Sequence, residues 1–295
     1  MIITSKAPVR IDLAGGWTDV DVFAKGAGGA VLNATIDKYI VGKLHSREGG
    51  EDGEGISVSY TCELPAGSGL GTSSALNVVW LSLVKQRVKG MEDRKSIAGL
   101  AYELEAILGI LGGKQDQYAS AVGGISFMTF GEKVEVESLD VAPEIVRQLE
   151  ERLILCYTGK SRLSGNIHEN VWGSYRHGDQ GTVNALYGLR NTAYSMRYVL
   201  MNGQLGELAN LMNKNWEYQK ALDPSVTNDQ IEQLFATAMN SGAIAGKACG
   251  AGGGGCVLFF AEPEHRGDVE RAVESLGCRL IPFKFEFEGL QVEKT

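Results

Sequence analysis

The residues best suited to chemistry are a glycine-rich loop, two carboxylates downstream of it and one arginine upstream. The loop reads PAGSGLGTSSAL, Pro65 to Leu76. Its glycines let backbone N–H groups converge on an anion. An apolar pattern starting at Leu76 predicts a helix whose positive N-terminal end faces the same place. Thr72, Ser73 and Ser74 can donate to phosphate oxygens, and one of them can ligate Mg²⁺. By itself the loop also reads as a structural turn. The carboxylates are Asp116, in GGKQDQY, and Glu105, eleven positions before it. One of them with a hydroxyl could hold Mg²⁺ against a triphosphate, and a second could take a proton from an acceptor hydroxyl. Singly, each is also what a solvated surface offers.

Other phosphate loops are excluded by spacing. A P-loop needs GxxxxGK[ST], and Pro65 to Leu76 has no lysine; GAIAGKA, Gly242 to Ala248, is one residue short and lacks the hydroxyl. A dinucleotide fingerprint fails because its third glycine, Gly71, comes one position early.

The elements that must position these groups read as follows. VRIDLA, AVLNATI, YIVGKL and ISVSYT are strand-like, the last alternating as a half-buried strand does, with a polar loop or hairpin over 46–55. Leu76, Val79, Trp80, Leu83 and Val84 form one helical stripe; Ile97, Leu100, Leu104, Ile107, Leu108 and Leu111 form another over 96–111, with Glu103 and Glu105 off that face. GISFMTF and RLILCYTG read as strands, 162–220 as helical, and 227–241 as a helix capped by Thr227 with Gln230 in the reciprocal position. KACGAGGGGCVLFF is a second glycine loop feeding a strand, and IPFKFEFEGLQV reads as an edge strand. A soft boundary near 150 divides the chain into 1–150 and 151–295.

Composition narrows the classes. The 295 residues are 44% hydrophobic and 22% charged, with a net charge of −8 and no basic block, which argues against a nucleic-acid partner. No apolar run is long enough to span a bilayer and no signal peptide is evident, so a cytoplasmic location is expected and no membrane partner. Cys62, Cys156, Cys249, Cys256 and Cys278 are scattered without a CxxC and read as buried or semi-buried free thiols. The 39 glycines cluster at element junctions, which fits tight turns and close approach to a ligand.

Taken together, KAPVRIDLAGGWTD (Lys6 to Asp19), PAGSGLGTSSA (Pro65 to Ala75), GGKQDQY and KACGAGGGGCVLFF (Lys247 to Phe260) resemble the GHMP kinases, in that family's order and over nearly the whole chain. The resemblance implies an α/β (α+β) two-domain fold, with an N-terminal domain like the second domain of ribosomal protein S5 and a ferredoxin-like C-terminal domain. It implies ATP as phosphoryl donor and Mg²⁺. Pro65, Gly67, Ser68, Gly69, Leu70, Gly71, Thr72, Ser73 and Ser74 would wrap the phosphates, and Ser73 and Glu105 would bind the metal, with Thr72 and Ser74 as competitors for Ser73. Asp116 matches the base and Arg10 the cation beside the acceptor. Trp17, Thr18 and Asp19 of the first motif, with Gly252, Gly253 and Gly254 of the third, would meet the substrate.

Within the family the motifs resemble sugar kinases acting on the anomeric hydroxyl. GGKQDQYASAVGG and GKACGAGGGGCVLFF look like D-glycero-D-manno-heptose 7-phosphate kinases; GGWTD looks like L-fucokinases, and Val20-Asp21-Val22-Phe23 departs from both. A phosphorylated acceptor would need a cationic pocket, for which Lys160, Arg162, Arg176 and His177 are candidates; Trp17 could stack on a sugar and Tyr157 could lend a hydroxyl. A catalytically silent ligand sensor is a further alternative, against which the complete catalytic set speaks. The partners expected are ATP and a small sugar or sugar phosphate; oligomeric state is left open, a homodimer included.

Overall fold

The computed structural model describes residues 1–50, 53–160 and 165–295. The polar loop expected at 46–55 lies partly outside them, and Arg162 lies wholly outside. The chain opens with β1 (Ile2–Ala14), α1 (Asp21–Ala27), β2 (Gly29–Gly50) and β3 (Gly53–Cys62). Then come α2 (Thr72–Lys85), α3 (Gly90–Ile107), α4 (Gln115–Val122), β4 (Ile125–Phe130), β5 (Val134–Ser138) and α5 (Pro143–Arg152). The second half runs β6 (Leu153–Tyr157), α6 (Gly165–Arg176), α7 (Gln180–Met201), α8 (Leu205–Lys220), α9 (Asp229–Asn240) and β7 (Ala243–Ala248). It ends with β8 (Cys256–Ala261), α10 (Arg266–Ser275), β9 (Arg279–Leu280) and β10 (Gln291–Lys294).

Two antiparallel sheets organise these elements. The first has the order β10-β1-β2-β4-β5, with β3 also paired to β2; the second has the order β7-β8-β6-β9. The C-terminal tail therefore returns to the first sheet, where β10 is the edge strand that its alternation predicts. β1 is buried on both faces from Ala7 to Ala14 because α2 and α4 contact it, as do α7 and α8. That double cover explains its unbroken apolar character. AVLNATI and YIVGKL, read as two strands, are one: β2 runs through both and absorbs the change as a register shift opposite Pro8 and Val9.

Three burial expectations are corrected. ISVSYT forms β3, but it is exposed rather than half-buried, because it lies on the outer side of β2. In α2 the buried face is Ser74, Ala75, Val78, Val79, Ser82 and Leu83, while Leu76, Trp80 and Val84 are exposed. In α3 it is Ile97, Ala98, Ala101 and Glu105, and Leu100, Ile107 and Leu108 face outward. Both helices turn small residues inward, which permits closer packing of α2, α3 and α4 than leucines would. Glu105, expected off the packed face, is thereby directed inside. α9 is capped by Asn228, whose Oδ1 accepts from the Ile231 N–H at 3.1 Å, not by Thr227; Thr227 donates to Glu232, and Gln230 donates to the Thr158 carbonyl. Cys62 is exposed, whereas the other cysteines are buried. Among the described residues no helix is long and apolar enough to cross a membrane.

Candidate active site

A cleft between the two sheets' domains gathers the three glycine motifs. The loop before α2 alternates. Gly67, Gly69 and Gly71 line the cleft, while Ser68 and Leu70 turn into the protein and anchor it. Pro65 is not among the lining residues. Gly71 is the N-cap of α2 and is left-handed, with φ of +77°. A Cβ there would also lie 3.1 Å from Asp116 Cγ. This position thus needs glycine for conformation and for space. Glycine provides no capping side chain, and α2 has no acid in its first turn. Among the described residues nothing accepts from the N–H groups of Thr72, Ser73 and Ser74. An uncapped helix start opening on a cleft is a site for an anion.

Asp116 sits in the first turn of α4, facing that helix start. Arg10, buried on β1, donates from Nε to Asp116 Oδ1 at 2.8 Å, and its Nη2 lies 2.7 Å from the same oxygen. Arg10 Nη1 donates to the Gly69 carbonyl at 2.6 Å, so one guanidinium ties the acid to the phosphate loop. Burial works to lower the Arg10 pKa, but Asp116 and Asp12 outweigh it and hold the group above its usual value. Both contacts use Oδ1, and Asp116 Oδ2 has no hydrogen-bond partner among the described residues.

Glu105 enters from α3. It accepts from Asn77 Nδ2 at 2.9 Å and from Gln117 Nε2 at 2.8 Å, and Gln117 also donates to Ser74 Oγ at 3.2 Å. Burial pushes the Glu105 carboxyl up, with Asp116 adding to the shift and its donors opposing it. Thr72 and Ser73 line the same region; Ser73 is exposed and Ser74 buried. Carboxylate and hydroxyl oxygens close to a second acid form the hard, all-oxygen set that suits Mg²⁺.

Asp19 also lines the cleft. Its Oδ2 accepts from the Gln115 N–H at 2.9 Å at the start of α4. Gly113 makes the approach possible, since a Cβ there would fall 1.7 Å from Asp19 Oδ2. Burial, with Asp116 and Asp12 nearby, pushes the Asp19 carboxyl up to about 6. Thr18 is fully buried and fixes the turn: its hydroxyl donates to the carbonyls of Gly15 and Ala30 and accepts from the Ala30 N–H, so it does not reach the cleft. From the third motif Gly252 and Gly254 line the cleft, while Gly253 donates to the Val226 carbonyl and accepts from Asn228. Trp17 lines the cleft but is buried, and its ring stacks on His168 at 4.4 Å.

Residue types and spacing did not point to two of the features here. Asp12 takes Lys247 Nζ at 2.8 Å in a fully buried ion pair, and the same Nζ donates to the Asp12 carbonyl at 2.7 Å. The pair joins β1 of the first sheet to β7 of the second, and Asp12 Oδ1 is left buried without a partner. His168 of α6 also lines the cleft. Both signals are faint in sequence: Lys247 is far along the chain from Asp12, and His168 is isolated. Of the candidate cations, Lys160 is exposed, and neither it nor Arg176 nor His177 lines the cleft. Burial pushes the Cys249 thiol, also at the cleft, up to about 11, so it offers no thiolate.

Known proteins match this arrangement. Residues 34–124 match the family model described as the GHMP kinases N terminal domain, and residues 196–279 match that of the GHMP kinases C terminal. A D-glycero-alpha-D-manno-heptose 7-phosphate kinase of Campylobacter jejuni is 31% identical, over 98% of each chain. A bifunctional fucokinase/GDP-fucose pyrophosphorylase of Arabidopsis thaliana is 32% identical over 76% of this chain, which spans 21% of that protein. Among solved structures, a D-glycero-D-manno-heptose 1-phosphate kinase from Bacteroides thetaiotaomicron superposes with a TM-score of 0.77 at 27% identity, over 99% of both chains. A full-length relative above 30% identity, two matched domains and a common fold lead to one conclusion: the chain belongs to the GHMP kinase family of ATP-dependent phosphotransferases.

Proposed function

We propose that this protein transfers the γ-phosphoryl group of ATP to the anomeric hydroxyl of a sugar, D-glycero-D-manno-heptose 7-phosphate in the first instance. The observation that carries the reading is Asp116, clamped by Arg10 through one oxygen beside the uncapped start of α2. The other oxygen, Oδ2, is free to accept from an acceptor hydroxyl. Phosphoryl transfer depends mainly on position and charge, and each part has a role. The α2 N–H groups and the glycine backbone take phosphate oxygens. Arg10 fixes the carboxylate in line and lends positive charge to the transition state. Glu105 and Ser73, with Thr72 and Ser74 adjacent, would hold Mg²⁺, which would supply charge neutralisation for the triphosphate. Asp19 would accept from substrate hydroxyls. The heptose assignment draws on the relative that matches over the full length.

One observation favours a second reading, a kinase of a free sugar such as L-fucose. Among the described residues lining the cleft, the cation is Arg10, and it is engaged by Asp116 and Gly69. A second phosphate on the acceptor has no evident partner there. The deciding experiment is ADP release with Mg²⁺ across heptose 7-phosphate, L-fucose, D-mannose, D-galactose, mevalonate and homoserine. Turnover on heptose 7-phosphate supports the first reading. Turnover on a free sugar alone moves the assignment to the second, and turnover on mevalonate or homoserine alone sinks both.

A further inference from the structure

Trp17, His168 and Trp172 form one aromatic assembly, of which Trp17 and His168 line the cleft. The turn Gly15–Thr18 is closed by the Thr18 N–H donating to the Gly15 carbonyl at 3.2 Å, and Trp17 is its third residue, with φ of +81°. That position in such a turn favours glycine or asparagine, and a bulky residue there is strained. The turn is held by the Thr18 hydroxyl and by Asn215 of α8, whose Oδ1 accepts from the Gly15 N–H at 3.0 Å. Strain maintained by surrounding contacts often marks a ligand-facing position. Here it places the Trp17 ring flat on His168, with an interplanar angle of 29°. Trp17 Nε1 is buried without a hydrogen-bond partner.

His168 is oriented from a second side. Trp172, one turn later on α6, donates from Nε1 to His168 Nδ1 at 3.2 Å. An indole N–H can only donate, so Nδ1 is the acceptor nitrogen and the imidazole proton resides on Nε2. Burial pushes the His168 pKa down to about 4, so the ring is neutral near pH 7. The remaining polar atom of His168 is thus an uncharged N–H donor with no partner among the described residues, on a side chain that lines the cleft. Asp19 lines the same cleft.

We propose that His168 is a specificity-determining residue for the acceptor, its Nε2–H donating to a neutral oxygen of the sugar, a hydroxyl or the ring oxygen, while Trp17 and Trp172 fix the ring. An uncharged donor in the same cleft as a carboxylate suits a polyol, whose hydroxyls donate as well as accept. It is poorly suited to a phosphate, which would draw a cation instead. The assignment rests on the sugar-kinase reading above and refines it: whichever sugar is used, a neutral part of it meets His168.

The test is steady-state kinetics of wild type, His168→Phe and His168→Gln, with ATP varied and with the acceptor being whichever sugar of the panel above the wild type turns over. Phenylalanine keeps the ring stack and removes the donor; glutamine carries an N–H to about the place of Nε2. Losing a neutral hydrogen bond to the acceptor should raise the KM for the sugar about tenfold in His168→Phe. His168→Gln should recover most of that, and the KM for ATP should stay within about twofold in both. A His168→Phe enzyme with the wild-type KM for the sugar overturns the assignment. So does a parallel rise in both KM values, which a merely structural role would give, or a His168→Gln enzyme as impaired as His168→Phe. If His168→Phe does not fold, His168→Leu, which also lacks the donor, is read by the same criteria. Folded wild type that turns over none of the four sugars of the panel above overturns the sugar-kinase reading itself, and the assignment with it; that result is distinct from an active wild type with an indifferent His168.

Discussion

The two ends of the cleft are built on different principles. The phosphate end is made of backbone: Gly67, Gly69 and Gly71 and the open N–H groups of α2. The acceptor end is made of side chains brought from separate elements, with Asp19 and Trp17 from the turn after β1 and His168 from α6. A backbone site recognises the part of a ligand common to all reactions of a family, because peptide groups differ little from chain to chain. A side-chain site can be rebuilt residue by residue, and it is there that our proposal places acceptor choice. Asp116 stands between the two ends, tied to the loop by Arg10 and to the second end through α4, whose first N–H, that of Gln115, donates to Asp19.

The largest expected effect is at that junction. Asp116→Ala should lower kcat by roughly 10²–10⁴-fold, with ATP affinity by titration calorimetry little altered. A variant that loses ATP binding equally would assign Asp116 to the phosphate end instead. The two sheets that flank the cleft are joined by the buried Asp12–Lys247 pair. Lys247→Met leaves an unpaired buried carboxylate, and denaturant unfolding should show a loss of about 3–5 kcal/mol. A loss under about 1 kcal/mol would mean that the pair is dispensable for holding the sheets together.

Asp19 distinguishes the acceptor end by pH. Its carboxyl is raised from 3.8 to about 6 in the folded chain. The folded state therefore holds this proton more tightly than the unfolded state does. The resulting stabilisation is present below about pH 4 and is lost as pH rises through about 6, in total roughly 2–3 kcal/mol. Unfolding free energies of wild type and Asp19→Asn should thus diverge across that window, with wild type losing ground as pH rises. Parallel curves would contradict the placement of Asp19 in a buried, acidic wall. The smallest effect is expected at the backbone end. Gly71→Ala forces a left-handed alanine, at a cost of about 1–2 kcal/mol, against Asp116. It should raise the KM for ATP more than the KM for the sugar; the reverse order would break the division between the ends.

Legibility in the sequence follows the same division. The phosphate end could be read from Pro65 to Ser74 because glycine spacing is itself the mechanism. Asp116 and Glu105 could be picked out by type and spacing, but the direction of Glu105 could not. The leucine pattern over 96–111 suggests that Glu105 faces away, whereas α3 packs with its alanines and leaves Leu100 and Ile107 in solvent. The family resemblance carried the two-domain layout further than periodicity did, since β2 reads locally as two strands. Asp12 with Lys247, and Trp17 with His168, were not legible as pairs. Each joins segments that only the fold brings together, and of the four residues Trp17 alone stands out in the sequence.

The most direct test of the account is phosphorus NMR of the product formed from ATP, Mg²⁺ and heptose 7-phosphate by wild type, with Asp116→Ala in parallel. The account predicts a new phosphate resonance coupled to the anomeric proton, appearing with ADP and absent from the variant. A new phosphate coupled to any position of the sugar other than the anomeric one, or the same product formed at the wild-type rate by Asp116→Ala, would contradict it.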